Sequence, residues 1–163
     1  MSKPAVPGGT ALAIKAVRGL NFQGYIASSW VGVDIGPHSR DVNISNSQFI
    51  NIGKQALIVR SGSTNVDFNH NVLEDIGALG TNLYDAIFVE TGSSGFRITS
   101  NDFGTYQTKN KPRYLINVLQ GKSDHYVIGA NNFSGGYGTA AVNDGGTGSG
   151  GTYFGNTPSL KGE

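Results

Sequence analysis

Ile98-Thr99-Ser100-Asn101-Asp102-Phe103 decides the fold, because the same phrase stands three more times in the chain. The other copies are Ile44-Ser45-Asn46-Ser47-Gln48-Phe49, Phe68-Asn69-His70-Asn71-Val72-Leu73 and Ile128-Gly129-Ala130-Asn131-Asn132-Phe133, and successive copies start 24, 30 and 30 residues apart. Each reads as a short apolar strand, a small polar residue two places before a large apolar one, then a turn. A period of about 20–50 residues marks stacked repeats, in which each unit buries its apolar face only against its neighbours.

A second strand follows each copy or precedes the next: Val31–Ile35, Ala56–Arg60, Ala86–Glu90, Leu115–Leu119 and Ala140–Asn143, all rich in aliphatic residues and alternating. Aligning Ile35, Val59, Val89, Val118 and Val142 gives steps of 24, 30, 29 and 24 residues, and Phe22, Phe49, Leu73, Phe103 and Phe133 form a further column. In this register Leu57, Val59, Ile87, Val89, Ile116 and Val118 face inward. Ser47, Asn71, Asn101, Asn131 and Asn156 share one turn column, where Asn tolerates a left-handed backbone and its amide bonds neighbouring rungs. Helical periodicity is sustained nowhere; Ala11–Val17 reads as a short capping helix or a first strand. The expectation is an all-β stack of about five or six rungs, each advancing about 4.8 Å. Residues 1–10 read as a linker, 11–158 as the stacked domain and 159–163 as a tail.

Composition narrows the function. A net charge of +1 argues against nonspecific attraction to nucleic acid or anionic membrane, so neither is an expected partner. Cysteine is absent, which removes disulfides and thiolate metal sites. The first residues show no signal-peptide pattern, and no stretch approaches the roughly 20 apolar residues of a membrane helix. The 25 glycines suit many tight turns. His38, His70 and His125 lack metal-ligand spacing and read as turn residues.

The repeated I-x-x-N-x-F followed by Gly and an A-I-x-V strand resembles the right-handed parallel β-helix of the pectate-lyase-like superfamily, from about Leu20 to Pro158. That superfamily includes pectinolytic enzymes, alginate epimerases and the trimeric tailspikes of bacteriophages, and the likeness here is greatest to a tailspike β-helix section. The resemblance implies a single-stranded right-handed β-helix, a homotrimer, a place in the virion or outside the cell, and bacterial surface polysaccharide as partner.

The register sets Arg60 beside Glu90 and Asp67 beside Arg97, which reads as surface ion pairs. Two insertions break the repeat: 77–85, where the preceding rung has only Gly53-Lys54-Gln55, and 104–114 one rung later. Both fall on one corner and are expected to wall a groove, since loops on a rigid scaffold concentrate binding residues. Tyr84, Tyr106 and Tyr114 suit stacking on sugar rings, and Lys109, Lys111 and Arg113 suit acidic sugars. Glu74, Asp75 and Asp85 lie at its base. Asp75 with Asp85 is the best acid–base pair for a glycosidase, with ordinary turn aspartates as the alternative. A lyase would use Lys109 or Arg113 as base and would add calcium; otherwise no cofactor is expected.

Outward positions Ile58, Phe88 and Leu119 form an apolar column, with Trp30 and Val31 just before the equivalent strand below. Such a patch marks an interface between three packed prisms, or is covered by a loop or by the tail with Tyr153 and Phe154. Residues 145–151 read as a flexible bend. Three functions compete: a trimeric tailspike or tail-fibre section that recognises, and in a catalytic version degrades, surface polysaccharide; a compact polysaccharide lyase or glycoside hydrolase; and a purely structural shaft.

Overall fold

Runs such as Leu57-Ile58-Val59 and Ile87-Phe88-Val89 are short, apolar and β-prone, and Gly- or Ser-bearing turns close them. They settle as strands. The computed structural model describes residues 8–147 and 151–158, and among these there is no helix. The first sheet joins β1 (Thr10–Ile14), β4 (Val31–Ile35), β7 (Leu57–Val59), β10 (Ile87–Val89), β13 (Tyr114–Gly121) and β15 (Ala140–Gly146). The second joins β2 (Arg18–Phe22), β5 (Arg40–Ser45), β8 (Thr64–Asn69), β11 (Arg97–Thr99), β14 (Tyr126–Gly129) and β16 (Gly151–Phe154). A third joins β3 (Tyr25–Ala27), β6 (Gln48–Ile50), β9 (Val72–Glu74) and β12 (Asp102–Gly104). Every pairing is parallel and links a strand to its counterpart one rung away, so the chain is a β-solenoid of about six turns.

The repeat phrase aligns as read: Ile44, Phe68, Ile98 and Ile128 are direct partners. Three details differ. Val118 pairs with Asp144, and Val142 with Ile116, so the last step of that column is 26 residues rather than 24. The column of Phe49, Leu73 and Phe103 starts at Ile26, while Phe22 belongs to the second sheet beside Ile44. Ala11–Ile14 is strand, not helix, and Gly145 and Gly146 lie inside β15, with Gly151 opening β16. Residues 148–150 of the expected bend, like 1–7 and the tail 159–163, lie outside the described residues.

The inward aliphatic columns and Phe49, Phe68, Phe96, Phe103 and Phe133 form one continuous core. Phe96 and Tyr126 stack at 4.5 Å, and Phe103 meets Phe133 at 5.5 Å. Two hydrogen-bonded ladders hold the turns. In the first, the Asn71 backbone N–H and Nδ2 donate to Asn101 Oδ1, and Asn101 Nδ2 donates to the Phe68 carbonyl. The same pattern links Asn101 to Asn131 and Asn131 to Asn156, and Ser47 N–H donates to Asn71 Oδ1. The left-handed backbone is not at the ladder Asn but one residue earlier, at Asn46, His70, Ser100 and Ala130 (φ 48 to 56°). The second ladder, at the corner between the first two sheets, is Ser39, Ser63, Ser93 and Ser123, all buried. Ser63 donates to the Gly36 carbonyl, Ser93 to Arg60 and Ser123 to Glu90, each one rung below.

The last described rung carries polar groups that bond one another. Asp144 pairs with Val118, is itself exposed, and accepts hydrogen bonds from the Tyr126 and Tyr153 hydroxyls. Burial, then the bond to Asp144, holds both phenols above the ordinary tyrosine value of 10.

Nine residues separate Ile35 from Ile44, Val59 from Phe68, and Val89 from Ile98; five separate Ile44 from Phe49, Phe68 from Leu73, and Ile98 from Phe103. The extra length of the long rungs therefore lies almost wholly between the third sheet and the first.

Candidate functional site

At that corner the chain runs from β9 to β10 through 75–86 and from β12 to β13 through 105–113. The two loops do not wall a groove; they close on each other. Asn82 N–H donates to the Lys111 carbonyl, Arg113 N–H to that of Tyr84, and Asn110 Nδ2 to that of Ala78. Thr81 Oγ1 donates to Asn110 Oδ1. A small cavity of ≈ 10 Å³ lies beneath them, lined by residues including Ile76, Phe103, Pro112 and Leu115.

Asp75 and Asp85 make this packing possible. Asp75 is buried and its carboxylate accepts the backbone N–H groups of Tyr106, Gln107 and Thr108 at 2.9–3.2 Å, so the longer loop is wound around one anion. Asp85, with 3% of its side chain exposed, accepts Arg113 Nε at 2.9 Å and Nη2 at 2.8 Å, and Asn117 Nδ2 at 2.7 Å. The pairing with Asp85 raises the Arg113 pKa above its ordinary value. Every oxygen of both carboxylates is engaged, which assigns them positioning of the loops. Glu74 sits half-exposed in β9.

The other candidates lie on the outer surface of this packed corner. Tyr106 is 73% exposed and packs over Gly104, with Lys109 and Lys111 exposed nearby in the same loop. Tyr114 carries the Arg113 guanidinium 5.0 Å from its ring centre. Strand register brings Tyr84 into a column that sequence reading did not assemble. Trp30, Lys54, Tyr84 and Arg113 occupy equivalent positions on successive rungs, three residues before Val33, Leu57, Ile87 and Ile116. The Lys54 ammonium lies 4.6 Å from the Trp30 ring centre and 5.7 Å from that of Tyr84. The signal was present, a Trp and a Tyr flanking a Lys at steps of 24 and 30, but it needed the register to be visible.

The outer column of the first sheet reads Asp34, Ile58, Phe88, Asn117, Asn143, so only two apolar residues adjoin. Ile58 is 6% exposed within the single chain, and Leu119 is exposed outside this column. Tyr153 and Phe154 lie in β16 on the second sheet and pair with Ile128 and Gly129, so they do not cover the patch. Beside it, Arg60 bridges Asp34 and Glu90 at 2.8 Å each, and the bond to Asp34 above all raises its pKa. On the second sheet Arg97 grips Asp67 at 2.6 Å at the edge of an open polar hollow of ≈ 470 Å³ with Asp41, Asn43 and Asn65. Among the described residues no three His, Asp or Glu side chains converge as metal ligands.

No family model, curated protein or solved structure matches this chain.

Proposed function

We propose that this solenoid is a recognition section that binds bacterial surface polysaccharide at the loop corner, within a homotrimeric tailspike or tail fibre of the kind found among pectate-lyase-like β-helices. The supporting observation is the loop pair itself: the segments that break the repeat are fastened by buried Asp75 and Asp85 and turn Tyr106, Lys109 and Lys111 outward. Rings and cations on a pre-ordered backbone suit sugar faces and their anionic groups, because little ordering entropy remains to be lost on binding. Recognition without cleavage is the better-supported version, since both candidate acids are buried and already tie the loops together through several N–H donors. Three-fold association would rest on Phe88 and Leu119, with Ile58 already covered.

The test is a panel of capsular and exopolysaccharides titrated against the protein, with light scattering on the same samples. Binding that falls about tenfold in Tyr106→Ala and in Lys109→Ala, by a trimer, is expected. No binding across the panel, or variants that bind as the parent does, would overturn the site; a monomer would overturn the assembly.

A further inference from the structure

Four of the described arginines are held by carboxylates, and the other described cations apart from Lys54 are exposed. Arg60, Arg97 and Arg113 each hold a carboxylate in two-point contact, and Arg18 lies 3.6 Å from Asp41. Lys54 is different. It is half-buried, its backbone is fixed by Lys54 N–H to the Trp30 carbonyl and by Gly77 N–H to its own carbonyl, and its ammonium rests between two rings. No described carboxylate or carbonyl accepts from it. Ring faces steady a cation but offer its N–H donors no lone pair of oxygen. The charge is thus pre-positioned, partly withdrawn from water, and unneutralised.

The surroundings are firm and apolar. An added Cβ at Gly53 would lie 3.0 Å from Leu79 and 3.4 Å from Trp30, so these side chains close over the backbone next to Lys54. Leu79 and the 63% exposed Leu83 leave an apolar rim. A pyranose ring with one anionic substituent matches this set: its C–H face lies on the rim and on Trp30, and its anion takes the Lys54 donors.

We propose that Lys54, framed by Trp30 and Tyr84, is the anion-reading contact of the glycan site, so that the ligand is a polysaccharide carrying acidic sugar units. This rests on the glycan-binding reading above and names its ligand class and the residue that selects it. Arg113, one rung above Tyr84, is less suited to the same role because Asp85 holds its Nε and Nη2 donors and offsets its charge.

Trp30 is the chain's one tryptophan, so its fluorescence reports on this site directly. Uronate, sulfated and neutral oligosaccharides of equal length would be titrated by fluorescence and calorimetry into the parent, Lys54→Gln and Lys54→Arg, with thermal melts confirming folding. Expected are a Trp30 signal with the anionic ligands, about tenfold weaker binding of them in Lys54→Gln, near-parent binding in Lys54→Arg, and no change for the neutral ligand. The uronate and sulfated arms separate carboxylate from sulfate as the preferred anion. Glycan binding that persists with equal acidic and neutral affinity, or that Lys54→Gln leaves unchanged, overturns this inference and spares the recognition reading. Absence of binding to every glycan overturns both.

Discussion

The corner at Asn71, Asn101 and Asn131 and the corner at Asp75 and Asp85 turn the same chain through the same rungs by different chemistry. The first uses neutral amides, each bonding the next, in a pattern that repeats without change. The second uses ionised groups, each serving one local task. The reason is electrostatic. Carboxylates stacked about 4.8 Å apart would repel by about 3.5 kcal/mol per neighbour at an effective dielectric near 20, whereas amides complement one another. A tie that must recur is therefore neutral, and a tie that occurs once is free to be charged. Asp144 with Tyr126 and Tyr153, on the last described rung, belongs with the second kind.

The sharpest way to break this comparison is Asn101→Ala. It strips the acceptor from the Asn71 N–H and the donor from the Phe68 carbonyl, leaving two buried groups unpaired at about 1–3 kcal/mol each. We expect a loss of about 3 kcal/mol and a melting temperature lower by roughly 6–12 °C. A shift no larger than that of an exposed residue would show the ladder to be incidental.

Next in size is Tyr126→Phe, expected to cost about 2 kcal/mol by removing a bond to a carboxylate. It also bears on pH. The folded state keeps the Tyr126 and Tyr153 protons where the unfolded chain releases them, near 10. Their stabilisation is complete below that pH and is lost as pH rises through the higher folded values. Denaturant melts between about pH 8 and pH 11 should show this alkaline decline in the parent and in Asn101→Ala, and a shallower one in Tyr126→Phe. An equal slope in all three would remove the end tie from the charged class.

Smallest is Asp75→Ala, expected to cost about 1 kcal/mol and to act locally, because the freed N–H groups of the largely exposed 106–108 segment can turn to water. Amides of Tyr106, Gln107 and Thr108 should exchange at least tenfold faster, while those of Asn71 and Asn101 keep their protection. Loss of protection at both corners would mean that the loop supports the stack as well as riding on it.

The sequence made the scaffold legible because stacking forces identical demands on each rung. Ile44, Phe68, Ile98 and Ile128 show the period, and so do the inward valines. The Ser ladder carries the same steps of 24, 30 and 30, in Ser39, Ser63, Ser93 and Ser123, but serine is common in turns and gave no contrast with its neighbours. The site was legible only as residue types. Asp75 and Asp85 look alike in sequence whether they hold a loop or act on a substrate; only the donors around them separate the two. The last rung was misaligned because Asp144 stands where the pattern asks for an aliphatic residue, and the register there shifts between Val118 and Gly121.

Rungs of 24 and of 30 residues climb by the same strand spacing, since the additional residues widen the perimeter and leave the height alone. The molecule is in this respect a graduated rule. Loops at the corner are free to lengthen, shorten or change chemistry while the marks at Trp30, Lys54, Tyr84 and Arg113 keep their interval, so a polymer lying along the axis meets a fixed pitch whatever the loops display.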